Sequence, residues 1–342
     1  MRKDWLILGG VTTVAFLIVI TPFLPERVRA PSVQALLGLQ AANSVNILFV
    51  GDIMLDRSVA AHAEQVGDAK LFEGVQNLFL GHDLVVANLE GAITNNESVS
   101  RQDNSLLRFT FDPRLASLLT RVGVRAVSLA NNHTLDFGRE GYASTLAYLE
   151  EAGVAAFGSP LNDTRLAVAT SINGARVCLV GYHQLFNPST VSVVEKIQSV
   201  RPTCDHLVVF AHWGEEYTRD ITDHQRAAAH AFVDAGADVV VGAHPHVVQP
   251  LEVYNNHAIF YSLGNFLFDQ GFSPEVMRGL AVEIKFEESR TLFTLTPVNT
   301  YKEVAVADET TGQLVLKDLM TIDLPEAISK LIFETSTFDL IK

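Results

Sequence analysis

Five apolar segments of this chain each end in side chains that bind metal ions in many proteins. The segments are rich in Val, Ile, Leu and Phe and are bounded by Gly or Asn, which is typical of buried strands. The polar residues that follow them are Asp52, Glu90, Asn132, His133, His212, His244 and His246. Because ligands of open α/β sheets bind beyond the carboxyl ends of the strands, we expect these residues to share one rim. Carboxylate and imidazole groups without cysteine favour one or two divalent ions such as Mn, Zn, Fe or Mg.

Each of these residues also has a structural interpretation. Asp52 would make a good helix cap, Glu90 a surface acid in a turn, and His212 a hydrogen-bonded core histidine. His244 and His246 are the strongest pair, because two histidines one residue apart in an extended segment point to the same side. The proline between them stiffens the backbone. We therefore favour metal binding for the whole set.

The tripeptide Asn-Asn-His occurs twice and provides an internal control. At residues 131–133 it follows an apolar strand, whereas at residues 255–257 it precedes one, where a hairpin turn is expected. Because Asn tolerates left-handed backbone, we predict a turn for the second copy and a place in the site for the first. His183 ends the predicted strand 175–181 and is expected near the same rim. The other histidines, predicted as surface or capping groups, are His62, His82, His206, His224 and His230.

The elements that position these residues alternate between strands and helices, which predicts a mainly α/β core. The predicted helices are residues 57–65, 69–80, 113–121, 138–152 and 223–235. From residue 258 onward the pattern changes to consecutive strands, predicted at 258–262, 279–286, 291–298 and 313–317. We assign one domain to residues 45–300 and a C-terminal extension, with a weak helical pattern near its end, to residues 301–342.

Composition excludes some classes of protein. The chain has 342 residues, 48% of them hydrophobic, so it can bury a sizeable core. Its formal net charge of −14 argues against a nucleic-acid partner, which normally requires a basic surface. The two cysteines, Cys178 and Cys204, are predicted as buried thiols in preference to a disulfide, because sequence does not show whether their Cα atoms approach closely.

The N-terminal region has the pattern of a membrane segment. No charged residue occurs between positions 5 and 24, and a helix of that length matches the hydrocarbon core of a bilayer. We predict an anchor over residues 1–30 and a linker over residues 31–44. The protein would then be a single-pass protein of the cell membrane, with the remaining domain outside the cytoplasm. A cleaved signal peptide ending at Ala30 and a buried core helix are the alternatives.

Six motifs occur in order along the chain: Gly-Asp-Ile-Met-Leu-Asp-Arg (51–57), Ala-Asn-Leu-Glu-Gly (87–91), Ser-Leu-Ala-Asn-Asn-His with Asp-Phe-Gly (128–138), His-Trp-Gly-Glu-Glu-Tyr (212–217), Gly-Ala-His-Pro-His (242–246) and Tyr-Ser-Leu-Gly-Asn-Phe-Leu-Phe (261–268). Together they resemble the CapA family of poly-γ-glutamate capsule-synthesis proteins. That family is similar to calcineurin-like metallophosphoesterases. The resemblance implies a four-layer αββα sandwich of the metallophosphoesterase type with a two-metal site at strand ends, preceded here by one transmembrane helix.

The resemblance also implies roles for individual residues. Glu90 would take the position of the bridging carboxylate, and His133 would be the acid that protonates a leaving oxygen. The remaining ligands would be Asp52 and His246 for one ion, and Asn132, His212 and His244 for the other.

Two positions depart from the phosphoesterase pattern. Met54 stands where a second ligand histidine is expected, so Asp56 or His183 would have to complete the first metal site. The bridging position carries Glu90 in place of aspartate, which moves the carboxylate outward by one methylene.

Further residues suit an anionic substrate. Arg57, and in addition Arg108, would bind phosphate or carboxylate through paired hydrogen bonds. Glu215 or Glu216 would orient a ligand imidazole, and Asn265 is an additional candidate site residue.

Two classes of function fit the sequence. The first is a membrane-anchored, outward-facing, metal-dependent hydrolase or transferase acting on a phosphoester or on polyglutamate, either in capsule synthesis and export or as a general extracytoplasmic phosphoesterase. The second is a non-catalytic subunit of a membrane-bound polymer synthase and exporter. The sequence contains no Gly-x-x-x-x-Gly-Lys-Ser/Thr phosphate loop, so a partner would have to activate glutamate with ATP.

Overall fold

Strands alternate with helices early in the chain and follow one another later, and this order produces two large mixed sheets. The computed structural model describes residues 44–103, 105–162, 165–186, 189–320 and 324–342. The predicted membrane anchor and almost all of the predicted linker lie outside these residues. Within the described part of the chain, no helix is long and apolar enough to cross a membrane.

The described strands form two principal sheets and one small ribbon. They are β1 (Val45–Ile53), β2 (Leu84–Leu89), β3 (Ala92–Ile93), β4 (Thr110–Phe111), β5 (Ala126–Ser128), β6 (Ala155–Phe157), β7 (Ala167–Ile172), β8 (Ala175–His183), β9 (His206–His212), β10 (Val239–Ala243), β11 (Leu251–Tyr254), β12 (His257–Phe260), β13 (Asn265–Leu267), β14 (Arg278–Phe286), β15 (Arg290–Asn299), β16 (Ala305–Val306) and β17 (Thr337–Ile341). The first sheet has the order β16-β15-β14-β1-β2-β5-β6, with β13 paired to β1 and β17 paired to β15. The second has the order β11-β12-β10-β9-β8-β7.

The described helices lie between these strands along the chain. They are α1 (Arg57–Val66), α2 (Gln76–Phe79), α3 (Arg114–Val122), α4 (Gly138–Glu151), α5 (Val191–Val200), α6 (Asp223–Asp234), α7 (Glu309–Asp318) and α8 (Glu326–Thr335), with short 3-10 helices at Asp68–Phe72 and Arg201–Thr203. The central strands β1, β2, β5 and β6 are parallel, as are β8, β9, β10 and β12. Parallel strands place their carboxyl ends at one edge of each sheet.

Alternation along β1 shows how the first sheet is covered. Ile47 and Phe49 pack in the core between the two sheets, where the ring of Phe49 meets Phe210 of β9 at 6.1 Å. Leu48 and Val50 point the other way and pack with side chains of α1, α3 and α4. Because successive side chains of a strand face opposite sides, this segment is apolar on both faces. Each of these side chains contributes about 1.5–3 kcal/mol by burial.

The second sheet is covered in the same way. Val177 and Leu179 of β8 face the first sheet, whereas Cys178 and Val180 pack with side chains of α5 and α6. The layers are therefore helices, sheet, sheet and helices. The predicted mixed α/β fold is confirmed.

Cys178 and Cys204 form a disulfide, so the prediction of two thiols was wrong. Cys178 lies opposite Leu207 in the parallel β8–β9 ladder, and the short 3-10 helix before β9 turns Cys204 back toward β8. Their Cα atoms are 5.9 Å apart, within the usual range for a disulfide.

Residues 313–317 form part of helix α7, so the strand predicted there was wrong. The carboxylate of Asp308 accepts a hydrogen bond from the backbone N–H of Thr311 at 2.8 Å and caps the helix. Val315 and Leu316 are buried in the core between the sheets. A short apolar run fits either a strand or one face of a helix. Here the N-cap at Asp308 favours the helix.

The helix predicted over residues 69–80 is interrupted. It consists of the 3-10 helix Asp68–Phe72 and the single turn α2, because Gly74 pairs with Ala305 of β16. A Cβ atom on Gly74 would lie 2.5 Å from the Cβ of Ala305, so this approach requires glycine.

The end of the second sheet remote from the carboxyl ends of its parallel strands contains the second Asn-Asn-His copy and His206. Asn255 and Asn256 have φ values of 46° and 65° in the turn between β11 and β12, so the predicted hairpin turn is confirmed. His206 is buried, with its ring stacked 4.2 Å from that of Phe286, so its assignment to a surface or cap was wrong.

Candidate metal centre

The parallel register brings the predicted residues to one edge. Asp52 of β1 lies opposite Asn88 of β2, and His183 of β8 lies opposite His212 of β9. His212 in turn lies opposite Ala243, the last residue of β10 before His244. The strands of both sheets thus end at a shared polar cluster.

Asn88 connects the two sheets and was missed by the sequence analysis. Its Nδ2 donates to Asp52 Oδ1 at 2.7 Å and lies 3.2 Å from His212 Nδ1. Its Oδ1 accepts a hydrogen bond from Asn131 Nδ2 at 3.0 Å. Asn88 and Glu90 are two residues apart, and this spacing at the end of a strand was the available signal.

The histidines of the two sheets meet the carboxylates at this point. His212 Nε2 lies 2.8 Å from Asn132 Oδ1. His246 Nε2 lies 3.7 Å from Glu90 Oε1, and its Nδ1 lies 3.4 Å from Asp52 Oδ2. The same oxygen of Asp52 accepts the backbone N–H of His244 at 3.2 Å. Six predicted ligands are therefore within one cluster.

The backbone at His244 and His246 is not extended, and that expectation was wrong. Their φ values are 97° and 60°, so both residues are in left-handed conformations. Such conformations cost roughly 1–3 kcal/mol each for residues other than glycine and are concentrated at functional sites. The segment is fixed by hydrogen bonds from Tyr217 N to the carbonyl of Pro245 at 2.8 Å and from Trp213 N to that of Ala243 at 3.2 Å.

Two triads of ligand atoms have the dimensions of metal sites. The atoms of each triad lie within 4.8 Å of one another. All of the residues are buried, and Glu90 belongs to both triads. The triads are Asp52, Glu90 and His212, and Glu90, His244 and His246. This grouping differs from the one that the resemblance implies, in which His212 and His244 share an ion.

Unsatisfied buried atoms indicate that the cluster fits a cation. Glu90 Oε1 and His244 Nδ1 are buried and have no hydrogen-bond partner. Buried polar atoms without partners are rare and costly, and a divalent ion would satisfy both. The donor set of carboxylate, imidazole and amide suits Mn, Zn or Fe.

Electrostatics favour the same interpretation. Burial raises the pKa of Glu90 well above its usual range, and the neighbouring Asp52 adds to the effect. Burial lowers the pKa of His212 and of His244 well below the usual range, with further lowering by the adjacent imidazoles. Neutral imidazoles have free lone pairs for a metal, and a bound cation would stabilise the carboxylate form of Glu90.

His133 occupies a different place from the ligands. Its Nδ1 lies 2.8 Å from Asp136 Oδ2, which also accepts the backbone N–H of Phe109 at 2.7 Å. The imidazole packs on the ring of Phe109 at 4.2 Å. Its Nε2 lies 3.9 Å from Glu90 Oε1. A proton on Nε2 would therefore face the cluster.

Three additional candidates also lie at the cluster or at its edge. Asn265 Oδ1 lies 2.9 Å from His246 Nδ1 and can orient that imidazole. His183 is buried, its Nδ1 lies 2.8 Å from the carbonyl of Pro160, and its Nε2 has no partner. Arg57 forms an ion pair with Asp269 near the cluster.

The structure does not bring the remaining candidates into the cluster. Asp56 caps α1 through Oδ1, and its Oδ2 accepts the backbone N–H of Thr110 at 3.0 Å. Met54 packs in the core beneath the helices of the first sheet. Glu215 is exposed, and within the described residues no hydrogen bond joins it to a histidine of the cluster. Arg108 donates to the carbonyl of Asp136 and has no described contact with the metal-type residues.

The chain thus forms an α/β domain with a candidate metal-binding site at the carboxyl ends of its strands. The model of the bacterial capsule synthesis protein family PGA_cap matches residues 46–270, and the chain belongs to this family.

Two relatives are similar over much of the chain. The PGA biosynthesis protein CapA of Bacillus subtilis (strain 168) is 34% identical over 242 residues, which cover 66% of this chain and 63% of that protein. The capsule biosynthesis protein CapA of Bacillus anthracis is 32% identical over 250 residues, covering 67% and 61%. The chain thus spans less than two thirds of the length of these relatives.

Two solved structures align with much of this chain at low sequence identity. The NAD nucleotidase of Haemophilus influenzae aligns with a TM-score of 0.45 and 10% identity over 85% of this chain and 66% of that one. Vps29 of Chaetomium thermophilum aligns with a TM-score of 0.31 and 7% identity over 77% and 92%.

Proposed function

We propose that this protein acts in the synthesis or export of poly-γ-glutamate capsule, and that its cluster binds divalent metal ions for hydrolysis or group transfer on a phosphoester or γ-glutamyl substrate. The observation that carries the proposal is the pair of buried triads sharing Glu90. The layer order of the domain is also the one that a metallophosphoesterase-type sandwich requires. The capsule role is supported by family membership and by the names of the two CapA relatives.

The residues of the chain have distinct parts in this proposal. Asp52, Glu90, Asn132 and the three histidines of the cluster would hold the metal. A bound divalent ion supplies Lewis acidity toward a phosphoryl or acyl oxygen. His133, oriented by Asp136, would give a proton from Nε2 to the leaving group. Arg57 would bind an anionic group of the substrate.

Turnover with added metals tests this proposal. The purified full-length chain, freed of metal, should hydrolyse a generic phosphodiester or poly-γ-glutamate only after Mn, Zn, Fe or Mg is restored. The double substitution His244→Ala/His246→Ala should abolish both metal binding and turnover, while His62→Ala, which removes a surface partner of Glu303, should change neither. Turnover without metal, or full activity of the folded double variant, would contradict the proposal.

A non-catalytic subunit of a polymer synthase and exporter is the second candidate. The observation in its favour is that Met54 lies in the apolar core, so the histidine that metallophosphoesterases have at this position is missing. If the cluster binds metal and no substrate is turned over, this second function becomes the better one.

We also propose that the protein is anchored in the cell membrane with its domain outside the cytoplasm. The uncharged run from position 5 to position 24 and the Cys178–Cys204 disulfide support this location, since disulfides persist mainly in oxidising compartments. Full-length protein should sediment with membranes, resist carbonate extraction and be cleaved by protease added from outside. A mature N-terminus at Pro31 would contradict the anchor and indicate a cleaved signal peptide.

A further inference from the structure

A groove of about 490 Å³ opens onto the cluster. His133 and His246 form part of its lining, so a molecule in the groove reaches both the proposed acid and the proposed metal ligands. The groove therefore gives a molecule direct access to the cluster.

The charges of this groove do not suit a polyanion. Besides the histidines, the charged side chains of its lining are Arg57, Glu216 and Asp269. Arg57 pairs through Nη2 with Asp269, whose Oδ2 also accepts hydrogen bonds from the backbone N–H and the hydroxyl of Ser58. The lining is net acidic when both carboxylates are ionised. A stretch of γ-linked glutamates would find no row of cations there, and such a row is what holds a polymer of one charge.

The guanidinium of Arg57 is only partly paired. Its guanidinium lies over the rings of Phe109 and Phe268, 4.9 Å and 5.7 Å from their centroids. These contacts and Asp269 hold the guanidinium in place, while its Nε is buried and has no hydrogen-bond partner. The free part of the guanidinium and a metal at the cluster would together bind one phosphate or carboxylate.

The outer part of the groove is aromatic. Tyr217, Phe272 and Tyr301 line it and are 47%, 64% and 44% exposed. The rings of Tyr217 and Phe272 meet edge to face at 4.9 Å, and Tyr217 lies 5.8 Å from the imidazole of His246. Large exposed apolar side chains gathered at the mouth of a site mark a binding surface, and rings favour planar partners.

We propose that this groove selects a substrate in which one anionic group is joined to a planar apolar group, and that it does not accept the interior of a polyanionic chain. The anionic group lies between Arg57 and the cluster, and the planar group packs on Tyr217 and Phe272. This inference rests on the proposed metal-dependent function. It narrows the substrate class to esters in which one anionic group is joined to a planar apolar group.

Binding of two phosphonates tests the proposal without turnover. Phenylphosphonate and methylphosphonate carry the same anionic group and have a carbon–phosphorus bond that hydrolysis does not break. Titration calorimetry on the Mn²⁺-treated full-length chain should give a dissociation constant about tenfold lower for phenylphosphonate, because only its ring covers the aromatic side chains. Equal constants, or no binding of either compound, would overturn the proposal.

Variants locate the effect in the groove. Phe272→Ala should remove most of the tenfold preference, Phe272→Tyr should retain it, and Phe333→Ala, at a 40% exposed phenylalanine of α8, should leave it unchanged. An undiminished preference in folded Phe272→Ala would place the ring elsewhere and overturn the assignment.

Competition distinguishes the polymer from its monomer. At equal glutamyl concentration, poly-γ-glutamate should displace phenylphosphonate no better than free glutamate does, and stronger displacement by the polymer would overturn the proposal. Metal content measured on the same samples reports separately on the proposed function. A metal-free protein contradicts metal-dependent catalysis. The ratio of the two phosphonate dissociation constants tests separately whether the groove prefers a planar apolar group.

Discussion

The tripeptide Asn-Asn-His serves two different purposes in this molecule. At residues 131–133 it follows β5 at the carboxyl edge of a parallel sheet, and its two asparagines contact residues at the ends of other strands. At residues 255–257 it connects two antiparallel strands, with both asparagines in left-handed conformations. The same three residues therefore form part of a site in one place and a turn in the other. What differs is the element that precedes them.

The asparagines of the two copies differ in burial and in hydrogen-bond partners. Asn131 is fully buried and makes hydrogen bonds to the carbonyl of Leu89 and to the amide of Asn88. Asn255 is exposed, and its Nδ2 donates to Asp234 on the surface at 3.2 Å. The residues of the first copy can act on a ligand, whereas those of the second fix a hairpin.

The two histidines of these tripeptides should differ most in their effect on turnover. His133→Ala should lower the rate by about 10² to 10⁴, the usual loss for a general acid, with bound metal unchanged. His257→Ala removes only a contact with the carbonyl of Asp238 and should leave the rate unchanged. Rates on a phosphodiester with a poor leaving group measure the contrast. Equal rates of the two variants would remove His133 from the mechanism, and His183 would be the next candidate for the acid.

The end of the second sheet that carries His257 also contains a pH-sensitive residue. Burial lowers the pKa of His206 to about 4, so the folded protein keeps this imidazole neutral where the unfolded chain binds a proton. Above pH 6.5 the imidazole is neutral in both states, and the free energy of unfolding is not reduced. As the pH falls from 6.5 toward 4, the unfolded chain binds a proton that the folded protein does not, so the free energy of unfolding decreases. The loss amounts to at most about 3 kcal/mol of unfolding free energy.

The substitution His206→Phe keeps the stacked ring on Phe286 and removes the titration. The free energy of unfolding, measured by urea denaturation between pH 7.5 and pH 5, should fall less steeply in this variant than in the wild type. Parallel slopes would mean that His206 is protonated in the folded state as easily as in the unfolded chain.

The asparagines should differ in their effect on metal affinity. Asn132→Ala removes an oxygen that lies 2.8 Å from His212 Nε2, and we expect metal to bind about tenfold to a hundredfold more weakly, as for other groups at a metal site. Asn255→Ala, remote from the cluster, should bind metal as the wild type does. Competition with a chelating dye gives both constants. Unchanged affinity in Asn132→Ala would exclude it from the metal site.

Sequence patterns predicted the parts of this molecule that depend on local chemistry. The apolar strands β1, β9 and β10 and the polar residues at their ends follow from composition and spacing, and so does the role of Asn255 in a turn. The position of Asn88 beneath Asp52 and His212 depends on how two sheets pack, which no local pattern records. The left-handed backbone at His244 and His246 was also missed, because only tertiary contacts hold such a conformation.

Two further errors have the same origin. Residues 313–317 contain a short apolar run that also fits a strand, but Asp308 caps a helix there. The disulfide between Cys178 and Cys204 depends on how the turn before β9 brings Cys204 close to β8, which sequence does not give. In both cases the outcome depends on contacts that the short local pattern does not contain.

The metal content of wild type and Glu90→Gln tests the central claim most directly. Glu90 belongs to both triads, so its loss should weaken every metal site of the cluster, whereas Glu97→Gln, at an exposed position in the loop after β3, should have no effect. After equilibration with Mn or Zn and gel filtration, mass spectrometry should find one or two ions per chain in the wild type and in Glu97→Gln, and almost none in Glu90→Gln. A metal-free wild type, or equal metal in all three proteins, would contradict the account.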